Sequence, residues 1–98
     1  MSCQIVIELP DPQGVQAVLH ALESYKARLR VSSERSRRRL AEFEERYGLA
    51  TEEALVSLTA EDLAGGDLAY VEWAGEAKLL AGVEAELREL EDARYQLP

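Results

Sequence analysis

Residues 15–48 read VQAVLHALESYKARLRVSSERSRRRLAEFEERYG. Whether they form one helix or two decides what the chain can build. Val15, Leu22, Leu29, Ser36 and Phe43 stand seven apart, and Leu19, Lys26, Ser33, Leu40 and Tyr47 make a second seven-residue row offset by four. Two such rows share one face of a helix and form a stripe suited to packing on another helix. The stripe turns polar at RVSSERS, residues 30–36. The serines fit either a break or a close approach of two helices. Asp11 followed by Pro12 is a start signal, an N-cap oxygen and then a proline in the first turn. Gly48 is a stop signal, a residue free to turn left-handed, with Leu49 placed to supply the apolar contact after it. The spacing predicts a long helix over 11–47.

On the N-terminal side, residues 4–9 read QIVIEL. Ile5, Ile7 and Leu9 alternate with Gln4, Val6 and Glu8, and β-branched residues dominate, so a strand is expected over residues 3–9. A lone strand leaves its backbone groups unpaired, and the simplest remedy is the same strand of a second copy across a twofold axis. Ile5, Val6, Ile7 and Leu9 are therefore the expected dimer strand. On the C-terminal side, residues 49–66 read as a connector with one or two short helices. Thr51 is a candidate cap, Thr59 with Asp62 a weaker capping box, and Gly65-Gly66 an ending. Asp67 is placed to cap a last helix over 67–96. In that helix Trp73, Leu80, Leu87 and Arg94 form one row, and Glu76, Val83, Leu90 and Leu97 a second, a coiled-coil-like seam. Two long helices joined by a compact connector fold back antiparallel. The expected fold is mainly α: an N-terminal β-strand, then an antiparallel long-helix hairpin with a short-helix connector, assembled as a strand-paired homodimer.

The chain has 98 residues and a formal charge of -8, enough for one domain with a limited core. Residues 1–39 carry four acids and seven bases, a charge of +3, and residues 40–98 carry fifteen acids and four bases, a charge of -11. Folding back sets the basic stretch Lys26–Arg39 beside the acidic stretch Glu72–Glu86, so cross-helix pairing accounts for the arginine run. The overall balance repels phosphates and favours basic partners. The single cysteine, Cys3, excludes an internal disulfide and fits a reducing compartment. No segment approaches the ~20 apolar residues of a membrane span. The sequence reads as a cytoplasmic protein.

No constellation for catalysis emerges. His20 is the one histidine and reads as a core-edge residue, with no second ligand or base near it in sequence. Cys3 has no basic neighbour to activate it. Adjacent acids such as Glu44-Glu45, Glu52-Glu53 and Glu91-Asp92 point apart on a helix and suit a solvated face. Gly65-Gly66 lacks the spacing of a phosphate loop. An enzyme, a metal site and a cofactor are not expected. The arginines of RSRRR, residues 35–39, scatter around the helix at 100° steps, whereas a groove-reading helix gathers them on one face.

Two resemblances bear on function. IELP followed by helices resembles the opening of ribbon-helix-helix repressors over residues 4–47, whose paired strands enter the DNA major groove. Glu8 on the outward strand face opposes that use. The text LAEFEERYGLATEEALVSL, followed by GGDLAYVEWAGE at residues 65–76, resembles small helical antitoxins of prokaryotic toxin–antitoxin loci. The matching positions are Phe43, Tyr47, Gly48, Glu72 and Trp73. That resemblance implies a non-enzymatic acidic protein that binds and neutralises a basic, toxin-like partner, with a nuclease as one such partner. The candidate partner-binding residues are Glu72, Trp73, Glu84, Glu86, Glu89, Glu91 and Asp92. A DNA-binding repressor and a plain helical scaffold are the alternatives. Trp73 itself has two expected roles, a plug packed on Phe43 and Tyr47, or a partner anchor with Glu72.

Overall fold

The computed structural model describes residues 1–57 and 67–95. Three helices follow one another: α1 (Gln13–Tyr47), α2 (Thr51–Ser57) and α3 (Asp67–Glu91). α1 is continuous through RVSSERS, so the serines mark contact and not a break. Asp11 starts it: its Oδ1 accepts the Gln13 N–H at 3.0 Å, while Pro12, in helical geometry, gives up no needed donor. Gly48 ends it at φ 67°, and the Gly48 N–H reaches the Glu44 carbonyl at 2.8 Å. A residue with a Cβ is strained at that φ, which is why glycine stands there.

The hairpin is antiparallel. Trp73 of α3 meets Phe43 of α1, Glu76 meets Ser36, Glu84 meets Arg37 and Glu86 meets Tyr25. From Trp73–Phe43 through Glu76–Ser36 to Glu86–Tyr25, numbers rise along α3 as they fall along α1, and the long Arg37 side chain reaches along the seam to Glu84. The buried residues of α1 are Lys26, Leu29, Ser33, Ser36, Leu40 and Phe43, spaced by three and four in alternation. This is the a/d period of a helix that keeps one seam toward one partner. Ser33 and Ser36 are both buried in this seam, Ser36 at 1% exposure against Glu76 of α3.

The apolar core is concentrated at the connector end. Leu40, Phe43, Ala54 and Trp73 form it, with Tyr47, Leu49, Ala69, Tyr70, Ala77 and Leu80 packed around them. Leu29 is buried separately, farther down the seam. α1 outruns α3 by ten residues, about 15 Å at 1.5 Å per residue. α3 stops at Glu91, short of residue 96, and Tyr95 then lies against α1, its ring 5.7 Å from the Lys26 ammonium.

The N-terminal strand is not formed. Among the described residues there is no strand, and residues 1–9 take no regular structure. Ile5, Val6 and Ile7 stand exposed, and the fold class is correspondingly mainly α without a strand-paired dimer. The reason is that alternation specifies a face and not a ladder. A strand exists through its inter-strand hydrogen bonds, and this chain offers QIVIEL no second strand to pair with. Leu9 alone finds a seat. Its side chain lies over Gly14, where an added Cβ would meet Leu9 carbons at 3.2 and 3.3 Å. Glycine at 14 lets the incoming chain close on the first turn of α1. The capping box at Thr59 and Asp62, the Gly65-Gly66 ending and Leu97 lie outside the described residues, as does the Asp67 side chain. No helix among the described residues is long and apolar enough to cross a membrane.

Candidate functional site

The most constrained place in the molecule surrounds Trp73. It is 0% exposed, the largest fully buried side chain among the described residues. Its ring lies between two aromatics of α1, stacked on Phe43 at 5.4 Å between centroids and on Tyr47 at 5.6 Å. Phe43 and Tyr47 are four apart on α1, so both present their rings to the same point of α3. A buried indole must also satisfy its N–H. Nε1 donates to Thr51 Oγ1 at 3.0 Å, which brings α2 into the cluster. Thr51 was expected to cap its own helix with that oxygen. Instead the hydroxyl receives the indole, and the Thr51 N–H is taken by Glu44 Oε2 at 2.7 Å. One tryptophan thus ties all three helices together. Trp73 is an internal clamp, and a partner cannot reach it in this conformation.

A second, polar cluster follows along the seam. Ser36 Oγ donates to Glu76 Oε2 at 2.5 Å, and Arg39 pairs with Glu76 Oε1 at 3.1 Å. Glu76 is buried and each of its oxygens has a donor, so its charge is held without an orphaned lone pair. Among the described residues no buried side-chain polar atom lacks a hydrogen-bond partner. Lower down, Arg37 pairs with Glu84 at 2.6 Å, and the Tyr25 hydroxyl donates to Glu86 Oε1 at 2.5 Å. The bond to Glu86 holds the Tyr25 phenol above the usual tyrosine range. Lys26 pairs with Glu23 at 2.9 Å, and that partner, helped by Tyr95 and opposed by burial, raises its ammonium above the usual lysine range.

These pairs divide the residues proposed for partner binding. Glu84 and Glu86 are engaged across the hairpin. Glu72, Glu89, Glu91 and Asp92 are exposed, and none has an ion-pair partner among the described residues. The exposed acids Glu42, Glu45, Glu52 and Glu53 lie at the connector end with Glu72. Sequence reasoning passed over that group because each acid alone reads as a solvated face. Only the fold-back places α2 and the first turns of α3 beside the end of α1.

The features associated with catalysis are scattered. His20 is exposed rather than at the core edge, its ring nitrogen 3.5 Å from the Ser24 hydroxyl. Cys3 is free and exposed. Among the described residues no three metal-binding side chains converge. Compared with protein-family models, curated proteins and solved structures, the chain matches none.

Proposed function

We propose that this chain is a non-enzymatic, acidic protein-binding module of the cytoplasm that neutralises a basic partner, in the manner of the antitoxins its residues 40–76 resemble. The observation that carries this reading is the group of exposed acids that the fold-back gathers at the connector end, on a chain of net charge -8. Arg37 and Arg39 pair with α3 and Lys26 pairs within α1, while Arg28, Arg30, Arg35, Arg38 and Arg46 are exposed without an ion pair among the described residues. The acids Glu42, Glu45, Glu52, Glu53 and Glu72 at the connector end, and Glu89, Glu91 and Asp92 at the far end of α3, are exposed and have no ion-pair partner among the described residues. An acidic surface speeds encounter with a basic partner and occupies a site meant for phosphate. The ribbon-helix-helix alternative needs a β-ribbon, and the described residues hold no strand.

The test is complex formation with any small basic protein found to be encoded beside this chain's gene, measured by calorimetry across a salt series. Binding that weakens as salt rises, and at least tenfold on Glu42→Lys with Glu45→Lys, supports the reading. Absence of a complex, or affinity indifferent to both, removes it. A salt-sensitive mobility shift of duplex DNA by the chain alone would favour the repressor instead.

A further inference from the structure

We infer that the outer flank of α1 from Arg28 to Arg39 is a docking surface for an acidic helical segment of a partner protein, one with an apolar side chain set between its carboxylates. It does not rest on the basic-partner reading, whose acids lie at the connector end. At 100° per residue the arginines of residues 35–39 spread around the helix, but the fold-back removes one of them. Arg37 lies on the opposite flank and is taken by Glu84. Arg28, Arg35, Arg38 and Arg39 then fall within an arc of about 100°, turned away from the buried row of Leu29, Ser33, Ser36 and Leu40. Arg28, Arg35 and Arg38 are exposed and have no ion-pair partner among the described residues. Arg39 shares Glu76 with Ser36, and its side chain is still 53% exposed. Folding leaves this row of cations largely unneutralised.

Two observations identify the occupant. The first is the ground between the arginines. Ala27, Val31 and Ser32 line a shallow, open hollow of about 400 Å³ that Arg28 and Arg35 complete. Val31 is 54% exposed, and the Arg28 guanidinium lies 5.6 Å over the Tyr25 ring. Seven residues separate the two cations, about 10.5 Å along the helix. A second helix with acids seven residues apart matches that rise, and an apolar residue midway covers Val31. The guanidinium groups then pair with carboxylates, and the valine leaves water. The second observation is what bounds the row. Glu34 neighbours Arg38 at four residues' spacing, Glu42 stands in the same arc one turn past Arg38, and Glu45 follows; all three are exposed. A nucleic-acid strand carries its phosphates without interruption, and one laid along α1 would run onto these carboxylates. A short segment with two acids and an apolar centre fits between them.

Fluorescence anisotropy tests this with a labelled helical peptide, two glutamates seven apart and a leucine midway, titrated with the full chain. Binding should weaken at least threefold from low to physiological salt. It should fall at least tenfold with Arg28→Glu plus Arg35→Glu, and at least threefold with Val31→Ser. Trp73 emission checks folding and should stay blue-shifted, since the three positions are exposed and outside the aromatic clamp. Should the double variant unfold the chain, the peptide gives the reading: glutamine in place of its glutamates should weaken binding to the wild type at least tenfold. No binding at high micromolar concentration overturns the inference. So does binding that the folded double variant, Val31→Ser or the glutamine peptide leaves unchanged. A single-stranded oligonucleotide of equal charge that binds more tightly than the peptide assigns the row to phosphates instead. Salt-sensitive self-association in sedimentation, dissolved by Arg28→Glu plus Arg35→Glu, makes the occupant a second copy and equally overturns it.

Discussion

Trp73 is the residue on which the connector end depends. Burying such a ring contributes several kcal/mol at ~25 cal/mol per Å². Truncation to alanine leaves a cavity between Phe43 and Tyr47, so Trp73→Ala should lower stability by about 3–5 kcal/mol in chemical denaturation. Thr51→Val keeps the shape and deletes the acceptor. The indole N–H is then buried without a partner, which costs about 1–3 kcal/mol. Acrylamide quenching of the wild type should be weak and its emission blue-shifted; strong quenching in the folded chain would contradict the buried ring. The stacking was legible in the sequence, because Phe43, Tyr47 and Trp73 each end an apolar row on the connector side. The role of Thr51 was not. A threonine opening a helix reads locally as a cap, and its real partner stands 22 residues away. His20 was misread for a related reason: its neighbours Leu19 and Leu22 lie on the seam face, while position 20 turns out of it.

At the scale of elements, α1 and α3 are held in register by a polar pair set in an apolar seam. Sliding one helix past the other would strand the Glu76 carboxylate away from Ser36 and Arg39. Replacing a buried ionic group and its partner by apolar residues is often neutral or stabilising, whereas removing one partner alone is destabilising. Ser36→Ala should therefore cost about 1–3 kcal/mol, by leaving one carboxylate oxygen short of a donor. Replacing both Ser36 and Glu76 by leucine should keep the melting temperature within a few degrees or raise it, while broadening the amide spectrum through loss of a unique register. A uniquely ordered double variant would show that the seam needs no polar lock. The Tyr25–Glu86 contact adds a pH dependence. Its phenol is raised, so the protonated form is favoured by folding. The contact contributes fully below the unfolded tyrosine pKa and is lost as pH rises through the folded one. Ultraviolet titration should show one late-ionising tyrosine, missing in Tyr25→Phe. The helices themselves could be read from period and caps. The strand over QIVIEL could not be decided that way, since its alternation is equally that of an extended lead into α1 seated by Leu9 on Gly14.

For the whole molecule, net charge and shape act together. Extents of 59 × 27 × 17 Å and a radius of gyration of 19.2 Å, against about 13 Å for a compact chain of this length, describe a rod. Eight uncompensated negative charges on such a rod repel one another. Raising sodium chloride from low to physiological concentration should raise the melting temperature by a few degrees. The exposed Arg37–Glu84 pair is worth at most about 1 kcal/mol and should not reverse the trend. A falling melting temperature would mean that the cross-helix pairs dominate.

The uneven placement of the core also sets an order of opening. Amide hydrogens of residues 36–47 and 70–80, fastened around the tryptophan, can exchange with solvent only when the hairpin comes fully apart. Those of residues 13–22 have no α3 beside them and exchange by fraying of a single helix, at far lower free energy. In an isolated protomer, deuterium should therefore enter from the helix tip inward. A protease digesting the native chain should meet α1 at that tip long before it meets the aromatic clamp.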